Sequence, residues 1–403
     1  MKKVILITNY FHFKQEKESN RYRELAEKLS CQPDISLEVI TSRFYQRTKQ
    51  RRDNTEELCK DLKYKVTFID EPGYKKNISF QRVHTSKVFG KNVLSYLKTI
   101  NKPDVIYQVV PTLDVANLVS GYANSCGIPL IIDIQDLWPE AFKMALNIPV
   151  ISDLLFFPFM RKANRIYSRA DEICAVSGTY VKRALSVSKK CSEGHAVYIG
   201  INLKKFDEFA KNAIKENCNQ LKLAYCGSMD TSYDLKTVID ALSIMNNPPV
   251  LVAMGDGSLK KEFEDYAIQK KVEAVFSGYL PYPEMCKNLC ECDITINPII
   301  GTSIASIINK HGDYAASGLP VINTQESDEY RQLVDSYYMG FNCKNGDAKD
   351  IAEKLSILCA DKKLREEMGH NSRRCAEERF DRFVTYQELI ETIRTASCRK
   401  PVQ

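Results

Sequence analysis

The stretch Ile308-Asn309-Lys310-His311-Gly312-Asp313-Tyr314-Ala315-Ala316-Ser317-Gly318-Leu319-Pro320-Val321-Ile322 reads as a short helix, a glycine stop and a strand entered through proline. That is one αβ unit of a parallel sheet. Lys310 and Asp313 are three residues apart and share a helical face. An ammonium meets a diphosphate as a point charge, and a carboxylate accepts two hydrogen bonds from a vicinal diol. Diphosphate beside ribose is the leaving group of a nucleotide sugar. The competing reading is a surface ion pair on an ordinary αβ unit.

Outward from this unit, apolar runs of four to seven residues alternate with longer helical patterns, which predicts parallel α/β architecture throughout. In the first half the strands are expected at Val4–Thr8, Leu37–Thr41, Lys65–Ile69, Val105–Gln108, Leu130–Ile134, Glu172–Val176 and Ala196–Ile199. In the second they are expected at Leu221–Cys226, Val250–Met254, Ala274–Ser277, Ile294–Asn297, Pro320–Ile322 and Gly340–Cys343. Continuous apolar strands suit sheets buried on both faces. The polar stretch between the two series sets the expected division: a domain over 1–200, a linker over 201–219, a second domain over 220–375, and a terminal helix over 376–403 that returns to the first domain. Ligands of open α/β sheets sit at the strands' carboxyl ends, where glycines fall here (Gly227, Gly255-Asp256-Gly257, Gly278).

With 403 residues, 44% of them hydrophobic, and only 17 Gly and 15 Pro, the chain is globular and long enough for more than one core. No apolar run reaches the 18 residues of a membrane span, and the first eight residues read as a buried strand, not a signal peptide. The 14 cysteines are scattered, and the cluster Cys286, Cys290 and Cys292 has no second ligand group at zinc spacing. Free thiols in a reducing cytoplasm are expected, with no metal and no cofactor. Residues 1–200 carry 31 Lys+Arg against 21 Asp+Glu, whereas 201–403 carry 26 against 30. The basic half, with Arg43, Arg47, Lys49, Arg51, Arg52, Arg161, Lys162, Arg165 and Arg169, is expected to face an anionic surface or acceptor. No nucleic-acid recognition motif is present. The segment Leu154–Lys162 joins apolar and cationic residues and suits an anionic membrane surface, core burial being the alternative.

Four segments together carry a family resemblance: Ile132–Phe142 (IDIQDLWPEAF); Tyr225–Met229 followed by Tyr233–Leu242; Met254–Leu259 followed by Phe276–Pro281; and Asn309–Val321. In this order and spacing they resemble the retaining GT-B glycosyltransferases of family 4, in particular the subgroup of bacterial capsule, exopolysaccharide and O-antigen assembly. The resemblance implies two Rossmann-like domains with parallel sheets facing across a cleft, the first binding acceptor and the second a nucleotide sugar. It implies transfer of a hexosyl or N-acetylhexosaminyl group, from a UDP-sugar on family grounds, to a polyprenyl-diphosphate-linked glycan. The protein would then be cytoplasmic and peripheral at the inner face of the plasma membrane.

Two departures from the family pattern stand out. Ala305 occupies the position of the family's first acid, Asp313 that of the second, and Gln135 replaces the histidine before Asp136. The cations usual in Gly227–Asp234 are also missing, which leaves Lys310 as the main cation for the diphosphate. The donor set is therefore Gly227, Ser228, Asp256, Gly257, Gly278, Tyr279, Thr302, Ser303, Ile304, Lys310 and Asp313. Asp313 serves ribose, and backbone N–H groups near Gly227-Ser228 and Thr302–Ile304 serve phosphate. Tyr279 either stacks on the base or packs. Lys310, Asp136 and Gln135 form the catalytic set. Asp136 either orients acceptor or sugar, or caps the helix entered at Leu137-Trp138-Pro139. Glutamine cannot act as a base, so front-face substitution, with the departing phosphate taking the acceptor proton, is the expected chemistry. With no Asp-x-Asp anywhere, no metal is expected to be required. Asn20, Arg21, His12 and Trp138 are the acceptor candidates, Arg21 alternatively being a solvated helix start. The rival functions are a nucleotide-sugar 2-epimerase-like enzyme and a catalytically silent nucleotide-sugar-binding subunit.

Overall fold

The computed structural model describes residues 1–16, 21–77, 79–141, 149–214, 220–301 and 306–399, with the backbone alone over 149–155. The chain divides into two compact units, Met1–Val197 with Tyr386–Gln403, and Tyr198–Thr385. The first contains β1 (Lys2–Ile7), β2 (Ile35–Ser42), β3 (Phe44–Tyr45), β4 (Gln50–Arg51), β5 (Lys65–Ile69), β6 (Val105–Val110), β7 (Leu130–Ile134), β8 (Glu172–Ala175) and β9 (His195–Ala196). Its main sheet is ordered β5-β2-β1-β6-β7-β8-β9 with every pair parallel. Val4, Ile5, Leu6 and Ile7 are fully buried, as a strand covered on both faces requires. The antiparallel hairpin β3-β4 was not foreseen, because two residues per strand carry no periodicity.

The second unit contains β10 (Lys222–Cys226), β11 (Val250–Met254), β12 (Ala274–Gly278), β13 (Ile294–Asn297), β14 (Val321–Asn323) and β15 (Gly340–Asn342). All pair in parallel, in the order β12-β11-β10-β13-β14-β15. Both sheets thus reverse direction beside their first strand, the arrangement in which doubly wound folds open a crevice at the carboxyl ends.

The stretch expected as a linker differs from expectation. Leu203–Ala210 is a helix of the second unit, capped by the Asn202 side chain on the Lys205 N–H at 3.0 Å. Its two buried residues, Leu203 and Phe206, are one turn apart and suffice to dock it, although its overall polarity reads as loop. The last helix, Arg382–Ser397, places Tyr386, Leu389, Ile390, Ile393 and Ala396 in the first unit's core beside Val4, Leu6 and Val105. Burial of each large side chain contributes ~1.5–3 kcal/mol.

Candidate functional site

In the second unit, β10, β11 and β12 are adjacent, and each turns at a glycine: Gly227 (φ +141°), Gly255 (φ +147°) and Gly278 (φ +71°). A Cβ on Gly255 would lie 1.8 Å from the Gly227 carbonyl oxygen, so the ends meet only because no side chain intervenes. The Gly227 N–H donates to the Met254 carbonyl at 2.9 Å, and that of Gly255 to Gly278 at 2.8 Å. This corrects one expectation: the Gly227 N–H is committed to the neighbouring strand end and does not face a phosphate. Asp256 is exposed and accepts the Gly257 N–H at 2.8 Å. Gly257 lies against the Met229 backbone, only 2.5 Å from where its Cβ would be.

On the other side of the switch point stands the helix Asn309–Ala316, its start tied by the Ile308 N–H donating to His311 Nδ1 at 3.3 Å. Its Tyr314 hydroxyl bridges two strands, accepting the Cys226 N–H at 2.8 Å and donating to the Ile296 carbonyl at 3.0 Å. Gly312 lets the helix approach Ile201, whose Cγ2 would be 3.0 Å from an added Cβ.

Helix and strand ends enclose a pocket of about 580 Å³ whose lining includes Gly227, Ser228, Asp256, Tyr279, Lys310 and Asp313. Lys310 is 8% exposed, and its Nζ has no hydrogen-bond partner among the described residues. The ammonium lies over two rings, 4.2 Å from the Tyr225 centroid and 3.9 Å from that of Tyr233. Burial pushes its pKa down to about 7. Half-buried Asp313 accepts the Tyr282 hydroxyl at 2.7 Å, and burial raises its pKa to about 6. The surface ion pair offered as the bland reading is absent: Lys310 and Asp313 line one pocket without pairing. Tyr279 is 76% exposed at the rim, so it does not pack into the core. Thr302, Ser303, Ile304 and Ala305 lie outside the described residues.

Sequence reasoning missed the polar support beneath this helix. Asn297, Asn323 and Asn342 stand in register at the ends of β13, β14 and β15. Their amides form a ladder, Asn297 Nδ2 to Asn323 Oδ1 at 2.9 Å and Asn323 Nδ2 to Asn342 Oδ1 at 2.8 Å. Asn297 also reaches His311 Nε2 at 3.2 Å, and the imidazole stacks on Tyr330 at 3.4 Å. Burial, then the Lys310 charge, holds His311 neutral. The signal was available, since Asn297 closes the first of these expected runs, Asn323 directly follows the second and Asn342 is the penultimate residue of the third.

In the first unit, Arg21 is 4% exposed and paired with fully buried Asp133 at 3.2 Å, and it donates to the Val197 carbonyl at 2.7 Å. It is neither a solvated helix start nor open to an acceptor. Tyr107 and Tyr22 donate to the same carboxylate at 2.7 and 3.2 Å, and Gln135 Nε2 reaches it at 3.4 Å. Gln135 therefore hydrogen-bonds, as its chemistry requires, but toward the core. Asp133, an acid inside an apolar strand run, was the overlooked clue. Asp136 is exposed, and no described residue donates to its carboxylate, so it caps no described helix N-terminus. Glu140 pairs with Arg183 at 2.6 Å. His12 is half-buried, its ring 5.8 Å from Tyr45, and burial lowers its pKa. Asn20 lies outside the described residues.

The basic face is less free than its composition suggests: Arg52 is buried on Glu16 at 2.7 Å, Lys162 pairs with Asp114 at 2.5 Å, and Asp70 takes Arg51 and Arg43. Of the aromatic segment after Leu155, Phe157 is 57% and Phe159 36% exposed, whereas Leu154 and Leu155 have no described side chains. Trp138 lines a second, largely apolar pocket of about 770 Å³, with Tyr10, Phe44, Tyr74 and Phe159 among its walls. Arg82 enters that wall between Tyr74 and Trp138, 5.6 and 5.0 Å from their ring centroids, and forms no ion pair among the described residues. Among those residues no helix is long and apolar enough to cross a membrane.

Comparison with known proteins matches residues 206–375 to the family described as glycosyl transferases group 1. Over 71 residues the chain is 38% identical to the capsular polysaccharide biosynthesis glycosyltransferase CapM of Staphylococcus aureus, a match spanning 18% of this chain and 18% of that protein. Anabaena HepE in complex with UDP is similar in structure, with TM-score 0.68 and 14% identity over 98% of this chain and 100% of that one. Sucrose-phosphate synthase of Thermosynechococcus elongatus gives TM-score 0.71 and 14% identity, covering 98% and 99%. The chain thus shares the GT-B type of fold, two Rossmann-like α/β domains with parallel sheets.

Proposed function

Starting from a glycosyltransferase group 1 domain over residues 206–375, we propose that this protein transfers a sugar from a UDP-sugar, with retention, to a lipid-linked glycan during assembly of a bacterial surface polysaccharide. The observation that carries the donor half is the Lys310 ammonium, buried at the sheet switch point with no hydrogen-bond partner among the described residues and one helical turn from Asp313. A diphosphate gives that charge its missing partners, and Asp313 has a carboxylate oxygen for ribose hydroxyls. UDP bound to HepE and the capsular role in CapM's name support the same reading.

In the proposed reaction the bond from the anomeric carbon to the diphosphate oxygen breaks as the bond to the acceptor oxygen forms on the same face. The acceptor proton passes to the departing phosphate oxygen. Lys310 stabilises the charge that develops there, at ~1.5–3 kcal/mol for each charge-assisted hydrogen bond. No step calls on a side-chain base or a divalent ion. On the acceptor side, the apolar first-unit pocket and Arg82, which donates to Asn77 and Tyr10 but has no carboxylate partner among the described residues, suit an amphiphile with an anionic head, which supports a polyprenyl-diphosphate glycan and a site of action at the inner face of the membrane. The exposed rings Phe157 and Phe159 and the cations around them support peripheral attachment.

Thermal shift with UDP, GDP and their sugars, followed by turnover with a polyprenyl-diphosphate acceptor, tests the proposal. A uridine nucleotide is expected to protect, and Lys310→Ala to lose most turnover. Protection without any turnover would favour the silent subunit, acceptor-independent epimerisation the epimerase, and no protection by any nucleotide would refute the donor site.

A further inference from the structure

The Lys310 ammonium is held in an unusual way for a cation awaiting an anion. Asp313 accepts the Tyr282 hydroxyl and Asp230 is taken by Ser228 and Ser258, so among the described residues no carboxylate pairs with Lys310. Two aromatic faces hold it instead, and both rings are fixed. Tyr225 is fully buried on β10, and its hydroxyl donates to the Ser228 carbonyl. Tyr233 packs edge-on against Tyr225 at 5.8 Å, and its backbone is tied to Asp230 at 3.1 Å and bridged to Ile299. Gly227 leaves room for the arrangement, since a Cβ there would stand 2.8 Å from Nζ.

We propose that Tyr225 and Tyr233 are positioning residues whose ring faces hold the Lys310 ammonium at the donor diphosphate, an assignment that rests on the donor-site reading above. The physical advantage is specific. A carboxylate would hold the ammonium but cancel its charge and occupy its N–H groups. A ring quadrupole attracts the cation while leaving the charge and all three donors for phosphate oxygens. Keeping that charge available matters here because Gly227–Asp234 carries no lysine or arginine. Among the described residues the other titratable groups around the site are Cys226 on β10, Asp230 after it, Asp256 after β11, Tyr279 after β12, Tyr282 on the helix Tyr282–Cys290, and His311, Asp313 and Tyr314 on the lysine's own helix.

The test compares Tyr233→Phe, which keeps the ring, with Tyr233→Leu, which removes it. UDP affinity is measured from pH 6 to 9, together with the pH midpoint for amine-selective acylation of Lys310 in nucleotide-free protein, read by peptide mass spectrometry. The phenylalanine variant is expected to match the parent in both. The leucine variant is expected to bind UDP ~10-fold more weakly, the equivalent of about 1.4 kcal/mol, with both midpoints moved to lower pH. Tyr233→Met gives the same comparison should the leucine variant not fold. Unchanged midpoints without the ring, or an equal loss in the phenylalanine variant, overturn the proposal. If the parent binds no UDP yet the acylation midpoint still follows the ring, the donor reading fails and the ring clamp stands.

Discussion

Replacing Lys310 with methionine should stabilise the free protein while disabling its donor site, and the opposite signs make this the most informative perturbation. The lysine's pKa falls from 10.5 to about 7 on folding. Below pH 7 both folded and unfolded forms carry the proton, so the folded state bears the whole desolvation penalty, ~5 kcal/mol at 1.36 kcal/mol per pH unit. Two ring faces return ~1–2 kcal/mol of it, which leaves about 3 kcal/mol for methionine to recover. Between pH 7 and 10.5 the unfolded chain binds the extra proton, so the lysine protein gains stability as pH rises and the difference shrinks. Calorimetry following the transition that UDP shifts should show a midpoint ~6–12 °C higher in Lys310→Met at pH 6 for a unit of this size, with a smaller gain at pH 9. UDP affinity should fall ~10- to 150-fold, the loss of one or more charge-assisted hydrogen bonds. A variant that melts earlier than the parent, or one that keeps parental UDP affinity, would refute the reasoning.

Arg21→Met should destabilise the first unit by ~3–5 kcal/mol by stranding Asp133, with UDP affinity unchanged; chemical denaturation alongside titration calorimetry measures both. Gly227→Ala should weaken UDP binding more than tenfold and lower stability by ~1–3 kcal/mol, because alanine at φ +141° is strained and its Cβ meets Nζ. UDP affinity should peak between pH 6 and 7, falling below as Asp313 (about 6) takes a proton and above as Lys310 (about 7) loses one; a flat profile over pH 5–8.5 would exclude both groups from the contact. Prolonged EDTA dialysis should leave sugar transfer intact, measured by product formation with and without added Mg²⁺ or Mn²⁺.

The strands were legible because each is a local signal. Val250–Met254 is an uninterrupted apolar run between Pro249 and Gly255, and Ile294–Asn297 is a short, mainly β-branched run between Asp293 and Pro298; the structure forms both with those bounds. The switch-point pocket was legible through Lys310 and Asp313 for the same reason, since helical spacing places them on one face. The linker was misread because polarity hid the two apolar residues that dock Leu203–Ala210. Arg21 was misread because nothing within a few residues of it reveals Asp133, its partner 112 positions away.

By itself the amino-acid sequence determined the periodicities, and with them the type and order of nearly every strand, the two α/β units, and which helix carries the cation. Only the tertiary structure decided that Tyr225, Tyr233 and Gly227 surround that cation, that three strand-end asparagines brace its helix, and that Arg21 is spent on the core. Periodicity is a property of neighbouring residues, whereas desolvation and charge pairing depend on which distant groups come within a few ångströms, and that is settled only when the sheets assemble.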